Sequence, residues 1–204
     1  GYVANTSRAF QEESFELDHY CPSIHPSIQR EEVQEILDWI FFPEEDVKDS
    51  QRIALLYGKP GIGKSVVMHD VFERLKDKNN IEVLGLKSDQ IEFADTADLA
   101  KQMNLAKPLT DVIKELAITS KRVVLLIDQI DALSLSLSSN RTPLRSLLKL
   151  IDQLKAIPNI RILISCRPYD LEYDPVLEQL RPPTKWELKG FKVDDVKKIL
   201  GANK

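Results

Sequence analysis

The sequence predicts an α/β fold: a mostly parallel five-stranded sheet with helices on both faces. Three observations lead there. Short apolar runs alternate with amphipathic stretches along most of the chain. Two of those runs, Val123–Ile127 and Ile160–Ser165, are almost continuously apolar, as strands covered on both faces must be. A third run, Ile53–Tyr57, leads through a glycine-rich segment directly into a helical pattern.

The elements follow in order. Gly1 to about Leu17 has no clear period and reads as a lead-in; Cys21–Pro26 holds two prolines and reads as extended. Glu31–Phe41 sets Val33, Ile36, Leu37 and Ile40 on one stripe, which predicts an amphipathic helix closed by Pro43. An acidic turn, Glu44–Asp49, follows. Strands are expected at Ile53–Tyr57, Ile81–Leu86, Val123–Ile127, Ile160–Ser165 and Lys185–Leu188, and helices at Ser65–Lys76, Leu109–Thr119 and Leu144–Ala156. Right-handed crossovers then distribute the helices over both faces. Ligands of such sheets bind outside the carboxyl ends of the strands. The polar stretch Ser134–Asn140 lies at that end; it reads as a surface loop or, alternatively, as a partner- or substrate-contacting one.

Composition narrows the function classes. The chain of 204 residues carries 28 Lys+Arg against 32 Asp+Glu, a net charge of −4, which argues against indiscriminate nucleic-acid binding. Its two cysteines, Cys21 and Cys166, lie far apart and give no disulfide framework; reduced thiols in a cytosolic protein are the simpler reading. No apolar run approaches the ~20 residues of a membrane span. The polar start, Gly1–Gln11, lacks the apolar centre of a signal peptide. A cytosolic protein would leave the sequons at Asn5 and Asn140 unused.

The functional signal is concentrated in Gly58-Lys59-Pro60-Gly61-Ile62-Gly63-Lys64-Ser65, which fits G-x-x-x-x-G-K-[ST] at every fixed position. Glycines let the backbone close around phosphate oxygens, and inward N–H groups with the start of a helix supply positive charge. Gly58, Pro60, Gly61, Ile62, Gly63, Lys64, Ser65 and Val66 are therefore the expected binders of ATP or ADP. Lys64 reaches the β- and γ-phosphates, and the Ser65 hydroxyl holds Mg²⁺. The alternative is a glycine-rich turn with a surface lysine.

A second signal is Val123-Val124-Leu125-Leu126-Ile127-Asp128-Gln129-Ile130-Asp131, a hydrophobic strand ending in acid. This is the form of a Walker B motif, in which Asp128 holds Mg²⁺ directly or through water. Many AAA+ ATPases place Glu directly after this Asp to polarise the attacking water. Gln129 can orient water but cannot take its proton, so Asp131 is the better candidate for the base, unless it caps the following turn. The strand Ile160–Ser165 exits through Cys166-Arg167-Pro168. Arg167 there is a candidate sensor of a γ-phosphate or, alternatively, an ion-pair residue. Ser165 is a candidate donor on the phosphate side, and Cys166 packs as a small hydrophobe.

In this order, GKPGIGKS, LLIDQIDAL and ILISCRP resemble the nucleotide-binding domain of STAND signal-transduction NTPases, closest to the NACHT branch, over about Ser27–Leu200. The resemblance implies a P-loop NTPase of the ASCE/AAA+-like kind. Ile28-Gln29-Arg30-Glu31-Glu32 resembles the family's N-terminal box, which places Ile28 and Arg30 on the adenine side, although Gln29 stands where the family has Gly. Trp186–Phe191 and a helix over Val193–Leu200 resemble the fifth strand and the start of a helical lid. The implied layout is a lead-in over 1–26, a nucleotide-binding domain over 27–188 and a truncated lid over 189–204. Gln129 replaces the usual small residue and Ala132 an acid, so slow hydrolysis is expected. The resemblance implies an ATP-gated switch that self-associates through this domain. It also implies effector and sensor domains outside the chain, in a bacterial signalling or antiphage protein. The competing readings are an AAA+-like ATPase acting on nucleic acid or protein, a P-loop kinase, and an ATP-binding scaffold with negligible hydrolysis.

Overall fold

The computed structural model describes residues 30–190 except 46, 90–95, 103–104, 135–141 and 181. The expected lead-in, Ile28, most of the serine-rich stretch and the helix over Val193–Leu200 lie outside the described residues.

Five strands form one sheet: β1 (Ile53–Tyr57), β2 (Ile81–Lys87), β3 (Arg122–Asp128), β4 (Ile160–Cys166) and β5 (Thr184–Glu187). Their order is β2-β3-β4-β1-β5, and every neighbouring pair is parallel. Strand β4 thus lies between β1, which feeds the glycine loop, and β3, which ends in Asp128. The register pairs Leu56 with Ser165 and Tyr57 with Cys166 on one side of β4, and Ile127 with Ile164 on the other. The carboxyl ends of β1, β4 and β3 therefore open together.

Six helices occur among the described residues: α1 (Glu31–Phe41), α2 (Lys64–Lys76), α3 (Thr96–Gln102), α4 (Leu109–Thr119), α5 (Thr142–Leu154) and α6 (Pro168–Tyr173). The period-2 alternation of the strands divides the core. Ala54, Leu56, Val124, Leu126 and Leu163 face the apolar stripes of α1 and α2. Ile53, Leu55, Leu125, Ile127, Ile162 and Ile164 face α4 and α5. Each Val, Leu or Ile among them, fully buried, contributes about 1.5–3 kcal/mol against exposure. No helix among the described residues is long and apolar enough to cross a membrane.

The expected strands and long helices all form, with no end shifted by more than two residues. Strands β3 and β4 each run one residue further at their carboxyl ends, because Asp128 and Cys166 stay in the ladder and are fully buried. Helix α6 begins where the strand exits: Pro168 occupies its first turn, where a missing N–H costs nothing.

The amino ends of the strands are closed by three buried arginines. Arg161 and Arg122 both donate to the Phe42 carbonyl, at 3.0 and 3.2 Å. Arg122 also pairs with Glu44 at 3.3 Å. Arg52 donates to the carbonyls of Val47 and Lys155, each at 3.0 Å, and pairs with Asp49. Together they fasten the α1–β1 connection to three strands. Arg161 is completely enclosed, and burial, with the neighbouring Arg122 charge adding to it, lowers its guanidinium to about 10.

Candidate nucleotide site

The loop after β1 takes its shape from three glycines. A Cβ on Gly58 would stand 2.8 Å from the Leu188 carbonyl oxygen, so the chain leaving β5 allows no side chain there. Gly61 and Gly63 have φ of +74° and +100°, the left-handed region where L side chains are strained. Gly63 is the N-cap of α2, so the first turn of that helix presents its unpaired N–H groups at the loop.

Lys64 opens α2 and is buried. Its ammonium donates to the Gly58 carbonyl at 2.7 Å and the Lys59 carbonyl at 3.3 Å, which closes the loop on itself. Burial lowers its pKa, and the carboxylates of Asp131 and Asp128 oppose that shift. A cavity of about 270 Å³ opens beside it, lined by Pro60, Gly61, Gly63, Lys64, Ser65, Val66, Gln129, Asp131 and Arg167. The three segments singled out in sequence thus meet at one opening.

Asp128 ends β3 and is fully buried. The Ser165 hydroxyl donates to its Oδ1 and accepts the Gln129 backbone N–H at 2.9 Å. Ser165 therefore orients the acid, in place of the expected phosphate-side contact. The only sequence signal for this was a polar residue at the end of an apolar strand. Oδ2 of Asp128 is buried without a hydrogen-bond partner. An orphaned carboxylate oxygen on the residue directly before Gln129, which lines the cavity together with Ser65, fits a Mg²⁺ site completed by phosphate oxygens and water. Such a site needs no dedicated cage, and among the described residues no cluster of three or more His, Cys, Asp or Glu is present.

Gln129 adopts φ 56°, ψ 48°, which is left-handed. This explains why a small residue suits the position. Its side-chain amide donates to Asp89 Oδ2 at 3.3 Å. Gln129→Gly is expected to leave stability unchanged or raise it by up to about 1 kcal/mol, since relief of left-handed strain outweighs added unfolded-state entropy. Gln129→Val is expected to lose about 2 kcal/mol, because β-branching is incompatible with positive φ. Urea unfolding midpoints check both; a Val variant as stable as the Gly variant would contradict the strain.

Asp131 sits in the 3₁₀ turn Ile130–Leu133 and is 1% exposed. It does not cap that turn. Neither carboxylate oxygen has a hydrogen-bond partner. Arg167 Nε lies 3.1 Å from Oδ2, an ion pair without the alignment of a hydrogen bond. Burial raises the Asp131 pKa; its own backbone N–H, Arg167 and Lys64 pull it down and Asp170 pushes it up. Arg167, the residue before α6, is 40% exposed and lines the cavity. Cys166 is buried, and burial raises its thiol far above the reactive range.

Arg30 precedes α1. Its Nη1 donates to the Lys189 carbonyl at 2.6 Å and its Nη2 to the Ile62 carbonyl at 2.9 Å. The guanidinium thus ties the phosphate loop to the chain leaving β5.

The model of the NACHT domain family matches residues 52–203. Among solved structures the chain is similar to the ORC2 protein of Aeropyrum pernix, solved as ADPNP-ADP complexes. The TM-score is 0.59 and the identity 17%, over 90% of this chain and 53% of that one. It is also similar to C. elegans PCH-2, with TM-score 0.54 and 21% identity over 84% of this chain and 45% of that one. The chain therefore spans about half the length of each. At these identities the likeness concerns the fold. No curated protein gives a significant match.

Proposed function

The chain belongs to the NACHT family, and from that premise we propose that it is the ATP-binding, ATP-hydrolysing switch of a larger STAND-type signalling protein. The observation that carries this reading is the one cavity onto which Lys64, Ser65, Asp131 and Arg167 open, lined also by Gln129, the neighbour in sequence of Asp128, whose buried Oδ2 has no partner. The glycine loop and the start of α2 bind the phosphates. Lys64 leaves its carbonyl partners for the β- and γ-phosphates. Ser65 and Asp128 would hold Mg²⁺, which offsets phosphate charge when bound. Asp131 accepts the proton of water as the water oxygen bonds to Pγ and the bond from Pγ to the ADP oxygen breaks. On the family resemblance Ile28 and Arg30 are assigned to the adenine side; Ile28 lies outside the described residues.

Self-association through this domain, effector and sensor domains elsewhere in the protein and a part in antiphage defence belong to the same proposal and rest on the family alone; a cytoplasmic location rests on reading Cys21 and Cys166 as reduced thiols. A scaffold that binds ATP and scarcely turns it over is the second reading. The Asp131–Arg167 ion pair favours it, since it occupies the candidate base.

A switch must distinguish ATP from ADP through a contact on the γ-phosphate, because equal affinity shifts no equilibrium. Arg167 provides that contact. Arg167→Ala is expected to weaken Mg-ATP binding about tenfold or more and leave ADP binding within about twofold, as for loss of one charge-assisted contact. Calorimetry with both nucleotides measures this, and an unchanged ratio would remove the sensor role.

A further inference from the structure

We infer that the Asp131–Arg167 pair is a latch, in which Arg167 withholds the base until a γ-phosphate draws the arginine away. The inference rests on the nucleotide-site reading above and adds a regulatory link between its two ends.

The geometry has the form of a replaceable contact. Asp131 is enclosed, and its carboxylate has no well-aligned hydrogen bond, with only its own backbone N–H and the Cys166 thiol near it besides Arg167. Its ion-pair partner is one guanidinium nitrogen at 3.1 Å, on a side chain that is 40% exposed and lines the same cavity as Lys64 and Ser65. An exposed arginine has conformational room that a buried one lacks. The γ-phosphate offers it three charged oxygens and planar two-point recognition, which is stronger than one misaligned contact. Lys64 shows the same arrangement, with its ammonium held by the loop carbonyls of Gly58 and Lys59. Two of the site's own cations thus have internal partners that a triphosphate must displace.

The consequence is directional. ADP reaches the loop and Lys64 but offers Arg167 nothing, so Asp131 stays paired. ATP takes Arg167 and leaves Asp131 as an unpaired buried carboxylate beside the attacking water. Losing its cation makes that carboxylate a stronger proton acceptor. Recognition of the triphosphate and exposure of the base become one event.

A double-mutant cycle on binding tests this with the intact chain. With the latch, Asp131→Asn removes the competitor for Arg167, and Mg-bound non-hydrolysable ATP analogue binds about three- to tenfold tighter, with ADP affinity within twofold. In the Arg167→Ala background the same substitution brings no gain. An equal gain in both backgrounds means simple relief of charge repulsion and overturns the latch, as does no gain in either. Arg167→Ala alone with an unchanged ATP/ADP ratio removes the sensor reading itself, a separate failure. If a variant does not fold, the wild-type Arg167 Nε–H resonance decides. It should be the same without nucleotide and with ADP, and move with the analogue; an unmoved signal overturns the proposal.

Discussion

Asp131→Asn is expected to lower ATP turnover about 10²–10⁴-fold, the usual contribution of a positioned general base. Asn keeps the volume in an enclosed turn and cannot take a proton. Folding should survive, since the substitution removes a buried charge that has no hydrogen bonds. The pH profile gives a second signature. Burial raises the pKa of this carboxyl, Asp170 adds to it, and Arg167 and Lys64 restrain it. A base with a raised pKa loses activity as pH falls through that pKa, so the acid limb should lie above the ordinary Asp value of about 3.9. Steady-state phosphate release across pH measures both effects. Full turnover by the Asn variant would move the base elsewhere and support the scaffold. The companion substitution Gln129→Glu would supply a carboxylate directly after Asp128, but would set it against Asp89, the present partner of Gln129. A rise in turnover would then identify Gln129 as a brake.

Lys64→Ala is expected to weaken nucleotide binding by about 10- to 150-fold, the worth of a charge-assisted contact of roughly 1.5–3 kcal/mol. The lysine also ties two loop carbonyls together. The variant should therefore lose about 1 kcal/mol of stability without any nucleotide. Thermal melts separate the two effects. Nucleotide at 100 times Kd should add about 2.7 kcal/mol to the wild type, or roughly 5–10 °C. At the same concentration the variant should shift by about half as much or less, roughly 0.3–1.4 kcal/mol over the expected range of weakening. Unchanged affinity by calorimetry would remove Lys64 from the phosphate site.

The sheet was legible because parallel strands covered on both faces must be apolar throughout. Ile53–Tyr57, Val123–Ile127 and Ile160–Ser165 leave no other reading. Helices α1 and α4 were legible to the residue, each from a single stripe. Helix α3 was not: it has two turns, and tertiary burial of Leu99 and Ala100 holds it. Helix α6 has six residues, with Tyr169 and Tyr173 exposed, so no stripe could announce it. The loop glycines and Lys64 were legible because their chemistry fixes their spacing. The hold of Ser165 on Asp128 was not, since it depends on β4 lying beside β3, and strand order is absent from a linear pattern. Arg167 and Asp131 were each legible with two alternatives. Their pairing needed the third dimension.

Helix α1 is anchored at both ends. At one, Arg30 grips the Ile62 carbonyl in the phosphate loop. At the other, Arg122 and Arg161 hold the Phe42 carbonyl against the foot of the sheet. Its 11 residues make a strut about 16 Å long, braced along its length by the buried stripe of Val33, Ile36, Leu37 and Ile40. A strut fixed at the far end cannot slide under load. Tension applied to the chain at residue 30 therefore meets a stiff member and concentrates on the fork that grips Ile62 and Lys189. The first hydrogen bonds to carry such a pull are those of Arg30 to Ile62 in the phosphate loop and to Lys189 in the chain leaving β5.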